Sequence, residues 1–209
     1  MQKLITIVDY GMGNLHSLQN AFSQIGAKTK VSSNPHEIKN AEVLILPGVG
    51  SFGQAIHNIN KYDLKDAIRE AGLNRAIPFL GICLGMQLLA SFGEEDGDNE
   101  GLDLIEGNVI KINNNNLRLP HIGFNEVEVV NDTKGLYNDI KNNSDFYFVH
   151  SYKFVCNNSL NILGSTNYGE KFSSSIQKDN IFGCQFHPEK SQSNGLILLK
   201  NFIKISSKL

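Results

Sequence analysis

Pro78-Phe79-Leu80-Gly81-Ile82-Cys83-Leu84-Gly85-Met86-Gln87 is the stretch that decides the fold. Its first five residues form a short apolar run, and residues 84–92 then carry a pattern that reads as helix. Between them lies Gly-x-Cys-x-Gly, which reads as an elbow with Cys83 at its tip. Flanking glycines let a chain turn sharply without a Cβ clash, and this exposes the middle side chain. A helix N-terminus behind a thiol favours the thiolate. Cys83 is therefore the candidate nucleophile. A buried packing cysteine is the plainer alternative, and the strand–elbow–helix context argues against it. Cys156 and Cys184 lack that context and read as packing residues.

The pattern repeats on either side of the elbow. Residues 4–8 form an apolar run that stops at Asp9-Tyr10-Gly11-Met12-Gly13, a strand ending in a turn. Leu15, Leu18, Phe22 and Ile25 recur at helical spacing until Gly26. Residues 43–46 are a second strand, closed by Pro47-Gly48-Val49-Gly50, and residues 56–71 are helical in pattern. Strands alternating with helices predict an α/β fold whose mostly parallel central sheet is covered on both faces, in three layers. After about Gly101 the pattern changes. Residues 109–112, 126–130, 146–149, 174–176 and 181–186 read as short strands between polar turns, an added antiparallel, meander-like region. Residues 113–116 read as a polar surface turn, and residues 196–205 return to helix. With no internal repeat and no linker, residues 1–209 read as one domain.

In an open α/β sheet ligands bind beyond the carboxyl ends of the strands, so the 47–50 loop and the elbow are expected on one rim. A backbone N–H of that loop, with the N–H of Leu84, would form an oxyanion hole. The plain alternative for Pro47-Gly48-Val49-Gly50 is an ordinary turn. No Gly-Lys-Ser/Thr follows it, which argues against a phosphate loop. Gln185-Phe186-His187-Pro188-Glu189 closes the last predicted strand. His187 is the candidate base, with Glu189 placed to fix its tautomer. A structural histidine is the alternative. His150 is the rival base, and His16, His36, His57 and His121 have no carboxylate so placed. Lys190 reads as a surface lysine beside that site.

Composition narrows the class. Hydrophobic residues make up 41%, which excludes a disordered chain, and the net charge of −2 gives no footprint for nucleic acid or a membrane surface. No apolar run is long enough to span a bilayer, and residues 1–9 read as a first strand rather than a signal segment. Three scattered cysteines suit neither a disulfide framework nor a metal site and fit a reducing cytoplasm.

On these residues the chain resembles the class I glutamine amidotransferases, and within them the glutaminase subunits of imidazole glycerol phosphate synthase. The resemblance runs through Asp9-Tyr10-Gly11-Met12-Gly13-Asn14, Pro47-Gly48-Val49-Gly50-Ser51-Phe52, 81-GICLGMQ-87 and His187-Pro188-Glu189-Lys190-Ser191. It includes Pro120-His121-Ile122-Gly123 and His150-Ser151-Tyr152 and spans nearly the whole length. It implies a Cys83–His187–Glu189 triad, an oxyanion hole from the N–H groups of Val49 and Leu84 at the Val49-Gly50 loop, and a glutamine seat at Gln87, Ser151 and Tyr152. It also implies L-glutamine as substrate, no metal or organic cofactor, and a (β/α)8-barrel cyclase as heterodimeric partner that receives the ammonia. Asn14, Phe124 and Lys190 are expected on the partner-facing rim. The resembling family usually carries Trp where Phe124 stands. The alternative implied by that departure is a paralogous glutaminase that feeds a sugar amidotransferase in surface-glycan biosynthesis. A different class of cysteine-elbow protein places His directly after the nucleophile, and Leu84 there argues against it. A catalytically dead binding module is a third class, opposed by the intact set Cys83, His187 and Glu189.

Overall fold

The computed structural model describes residues 3–113 and 117–209, so residues 114–116 of the expected polar turn lie outside the described residues. Its strands are Ile5–Val8 (β1), Thr29–Ser32 (β2), Val43–Leu46 (β3), Phe79–Ile82 (β4), Phe92–Gly93 (β5), Asn99–Glu100 (β6), Gly107–Lys111 (β7), His121–Val129 (β8), Ser144–His150 (β9), Tyr152–Cys156 (β10), Ile162–Tyr168 (β11), Glu170–Lys178 (β12) and Ile181–Cys184 (β13). The α-helices are Leu15–Gln24 (α1), Pro35–Lys39 (α2), Phe52–Lys61 (α3), Lys65–Arg69 (α4), Leu84–Gln87 (α5) and Gln192–Ser206 (α6).

One sheet runs β2-β1-β3-β4-β13-β12-β11-β8-β9. The pairs from β2 to β13 are parallel. The pairs from β13 to β9 are antiparallel. A smaller sheet, β10-β7-β5-β6, packs against it through β10 and β12. Successive side chains of a strand point to opposite faces, and both faces here are buried. Val8, Leu44 and Leu46 enter one core with Phe52, Ile56 and Ile59 of α3. Ile5, Ile7, Val43 and Ile45 enter the other, with Leu18 and Phe22 of α1 and Phe202 of α6. The result is the three-layer α/β architecture expected from the alternating pattern. Among the described residues no helix is long and apolar enough to cross a membrane.

The first helix forms as its spacing predicts. Asn14 caps it, its side-chain oxygen accepting from the Ser17 N–H at 3.2 Å, and Gly26 ends it at φ +78°. Several expectations need correction. The helix predicted over 56–71 breaks at Asp63, where φ is +56°. Ile59 and Leu64 are both fully buried, yet five residues of continuous helix would turn the second about 140° from the first. The break resets the phase before α4. The helix predicted over 84–92 ends at Gln87. The carbonyls of Leu88, Leu89 and Ala90 accept instead from the N–H groups of Leu102, Ile105 and Asp103, and Phe92 belongs to β5. In the second half β10 and β11 were not foreseen, the segment 126–130 overlaps the longer β8, which ends at Val129, and 174–176 is part of the longer β12. The strand read over 181–186 ends at Cys184.

Candidate active site

The elbow sits where the parallel half of the sheet ends. Cys83 follows β4 at φ +54°, ψ −113°, a conformation that costs a non-glycine residue about 1–3 kcal/mol. Backbone bonds hold it there. Its N–H donates to the Cys184 carbonyl at 2.8 Å, and its own carbonyl accepts from the N–H groups of Met86 and Gln87. Helix α5 can start so close to β3 only because residue 85 is glycine: a Cβ there would come within 1.8 Å of the Leu46 carbonyl oxygen. The Cys83 sulfur lies 3.9 Å from the Val149 carbonyl and 3.9 Å from Nε2 of Gln185.

His187 stands just beyond β13. Its N–H donates to the Tyr147 carbonyl at 2.8 Å, and its carbonyl accepts from the Ser191 hydroxyl at 2.6 Å. Ser191 Oγ in turn accepts from the Tyr147 N–H at 2.9 Å, so one hydroxyl ties the base to β9. Nδ1 of His187 lies 2.8 Å from Oε1 of Glu189, both side chains being almost wholly buried. Nε2 is buried without a hydrogen-bond partner, and the Cys83 sulfur is near enough to act on the ring electrostatically. Burial opposes a charged ring at this place. The Cys83 sulfur and the Glu189 carboxylate outweigh it and lift the pKa of His187 to about 10, so the imidazolium is favoured.

A pocket of about 120 Å³ opens over the sulfur, lined by Val49, Gly50, Cys83, Leu84, Gln87, Glu95, Val149, His150, Ser151, Tyr152 and His187. It brings together every substrate-binding and oxyanion residue expected from the sequence. Glu189 stands behind His187 as its hydrogen-bond partner. The side-chain amide of Gln87 donates to the Tyr152 carbonyl and to Oε1 of Gln185, each at 3.0 Å. Gly50, at φ +112°, gives the 47–50 loop its turn.

Glu95 was missed by sequence reading. Its Oε2 accepts from the Phe52 N–H at 3.0 Å, and burial raises its carboxyl above the ordinary range, with that N–H pulling the other way. It lies in a polar stretch without periodicity, so no local signal marks it. Gln185 and Ser191 were also missed as site residues, although both flank the candidate base in sequence. His150, the rival base, is engaged on both sides of its ring: its Nδ1 bonds the Tyr152 carbonyl at 2.8 Å and its Nε2 lies 3.0 Å from Nδ1 of His121.

A larger cleft of about 350 Å³ lies elsewhere, lined in part by Lys153, Phe154, Cys156 and Phe172. Burial pushes the Cys156 thiol up to about 11, and the fully buried Cys184 thiol is raised as well, so neither is a competing nucleophile. Among the described residues no group of three or more His, Cys, Asp or Glu could hold a metal ion.

Of the expected rim residues, Phe124 is 48% exposed and meets the edge of Tyr147 at 5.5 Å between ring centroids. The Lys190 ammonium lies 5.7 Å above the same Tyr147 ring. Phe124 and Lys190 thus share one exposed cluster. Asn14 is exposed at the start of α1, where it serves as the cap.

The family model for glutamine amidotransferase class-I matches residues 6–205. The imidazole glycerol phosphate synthase subunit HisH 1 of Campylobacter jejuni (strain RM1221) is 47% identical over 203 residues, covering 97% of this chain and all of that protein. The HisH subunit of Moorella thermoacetica is 47% identical over 198 residues, covering 95% of this chain and 93% of that one. Among solved structures, PurLQS from Thermotoga maritima has the same fold at TM-score 0.76 and 16% identity, covering 98% of this chain and 99% of that one.

Proposed function

The chain belongs to the class I glutamine amidotransferases, and from that premise we propose that it is the glutaminase subunit of an imidazole glycerol phosphate synthase, with Cys83, His187 and Glu189 as its triad. The observation that carries the triad is His187, bonded through Nδ1 to Glu189 at 2.8 Å and turned toward a cysteine on a left-handed elbow. The Cys83 thiolate attacks the side-chain amide carbon of L-glutamine, and the N–H groups of Val49 and Leu84 hold the oxyanion. His187 gives its proton to the departing nitrogen as the C–N bond breaks, which releases ammonia and leaves a thioester. Water then attacks the thioester, His187 takes the proton, and glutamate leaves as the thiolate is restored. Gln87 and the backbone of Ser151 and Tyr152 seat the substrate. Glu95, the carboxylate in the pocket wall, receives its α-ammonium. We read residues 1–209 as a single domain that works in the cytoplasm, without metal or organic cofactor.

Glu189→Gln tests the pairing of base and carboxylate. Removing an anion beside an imidazolium lowers the pKa of the ring, so the active protonation state is lost at lower pH. The alkaline limb of the kcat/KM profile for glutamine, expected near pH 10 in the wild type, should move down. A limb that stays in place would mean that Glu189 does not act on His187.

The ammonia passes to a (β/α)8-barrel cyclase docked as a heterodimer over the rim that carries Phe124 and Lys190. Phe offers apolar area but lacks the N–H of Trp, so the cognate partner presents an apolar pocket there. Lys190 pairs with a partner carboxylate. In the complex, Phe124→Ala and Lys190→Ala are each expected to lower the ratio of cyclised product to glutamate by several-fold, as befits contacts of about 1 kcal/mol. A ratio at the wild-type value in both variants would remove this face as the docking surface. Phe124 is also the observation that favours a sugar amidotransferase as partner. That reading predicts no coupling to a cyclase, and measurement of the same ratio with a purified cyclase decides between the two.

A further inference from the structure

Two buried histidines outside the proposed triad form a chain of hydrogen bonds that crosses from the outer hairpin to the glutamine pocket. His121 and His150 sit opposite each other in the β8–β9 register. Nδ1 of His121 lies 3.0 Å from Nε2 of His150, and Nδ1 of His150 lies 2.8 Å from the Tyr152 carbonyl. At the other end, Nε2 of His121 lies 3.2 Å from Nδ2 of Asn125.

The direction of every bond follows from the two ends. A carbonyl only accepts, so Nδ1 of His150 carries the proton that reaches Tyr152. Asn125 is oriented independently: its Oδ1 accepts from the Glu126 N–H at 2.8 Å, and its Nδ2 donates to the Asn167 carbonyl at 3.0 Å. Its Nδ2 therefore donates to His121, whose Nε2 must be bare. Both ends require the same middle bond, from the Nδ1–H of His121 to the bare Nε2 of His150. Burial keeps the rings neutral, driving His150 to about 3 and His121 to about 4. The His121 ring is stacked on Tyr168, with centroids 4.0 Å apart.

We infer that His121 and His150 are positioning residues: a relay in one tautomeric order that sets the Tyr152 carbonyl, and with it the pocket wall, from the hairpin that carries Phe124. Alternation along the strands makes the link. Ile122 and Phe124 face outward from β8, while His121 and Val127 face inward, so a displacement of the hairpin reaches the relay through two residues of backbone. The Tyr152 carbonyl also accepts from Gln87, on the helix that Cys83 opens, so the relay and the elbow meet at one atom. The inference deepens the glutaminase reading and rests on it for its kinetic arm.

Long-range 1H–15N NMR of the 15N-labelled full chain, without substrate and near neutral pH, reads the proton positions directly. Both His121 and His150 are expected as neutral Nδ1–H tautomers with bare Nε2. A proton on Nε2 of either ring overturns the relay. The kinetic arm uses the complex with its partner. His121→Phe keeps a ring for the stack but removes the donor, and KM for glutamine is expected to rise about tenfold while kcat moves less. His121→Asn puts an amide N–H near the place of Nδ1 and is expected to restore most of the wild-type KM. An unchanged KM in His121→Phe, or equal KM in the two variants, overturns the positioning role. If either variant fails to fold, the tautomers of the wild-type chain still decide. Failure of the glutaminase reading is separate: it appears as absence of glutamine turnover in the wild-type complex.

Discussion

Cys83→Ala is expected to abolish glutamine turnover, by a factor on the order of 10^4 or more, while the chain stays folded and bound to its partner. The large factor follows from the chemistry. Without sulfur no thioester forms, and the pocket is left only with oriented donors. The fold should tolerate the change because Ala adopts φ +54° at a cost similar to that of Cys, and the backbone bonds to Cys184, Met86 and Gln87 do not involve the side chain. The proposed cyclase partner would hold the second active site, so excess ammonium salt should still give cyclised product at the wild-type rate. Glutamate release and product formation, measured separately with glutamine and with ammonium, check both halves. Glutamine-dependent turnover surviving in Cys83→Ala would refute the nucleophile.

His187→Asn should be nearly as damaging, with kcat down roughly 10^3- to 10^4-fold, because nucleophile and base act as a unit. Asn carries no titratable proton, so neither the leaving nitrogen nor the attacking water is served. It also leaves the Glu189 carboxylate buried without its ionic partner, which adds a stability cost of about 1–3 kcal/mol that a thermal melt would register. Glu189→Gln should cost less in kcat, since it removes orientation and charge but leaves the base. His150→Asn gives the contrast. Both nitrogens of His150 are occupied within the relay, so its loss should act on KM before kcat. If His150→Asn proved the more damaging to kcat and His187→Asn were mild, the base would have been misassigned.

Much of the site was legible because its signals are local. Gly81, Cys83 and Gly85 fall within five residues, and a steric requirement of that range is written in residue types. His187 and Glu189 flank a proline, so a single turn keeps both at one strand end. Leu15, Leu18, Phe22 and Ile25 announced a helix through their spacing and Gly26 its stop, while the Asn14 cap came from the structure. The misread segments failed where long-range bonding outweighs local pattern. Leu88, Leu89 and Ala90 look helical, yet their carbonyls are claimed by residues 102–105, a competitor invisible in any short window. Glu95 carries no periodic or motif signal and becomes a pocket residue only because the Phe52 N–H holds it there.

The sequence by itself determined the α/β alternation, the elbow and the identity of the candidate nucleophile, base and orienting carboxylate. Each of these follows from steric and hydrogen-bonding demands within a few residues. Only the tertiary structure decided that both ring nitrogens of His150 are engaged, that Glu95 enters the pocket, and that His121 and His150 meet at 3.0 Å across 29 residues of chain. Those facts depend on strand register. A slip of one residue between β8 and β9 would turn His121 to solvent and Phe124 into the core, and register is set by the burial of a whole face rather than by any one neighbour in sequence.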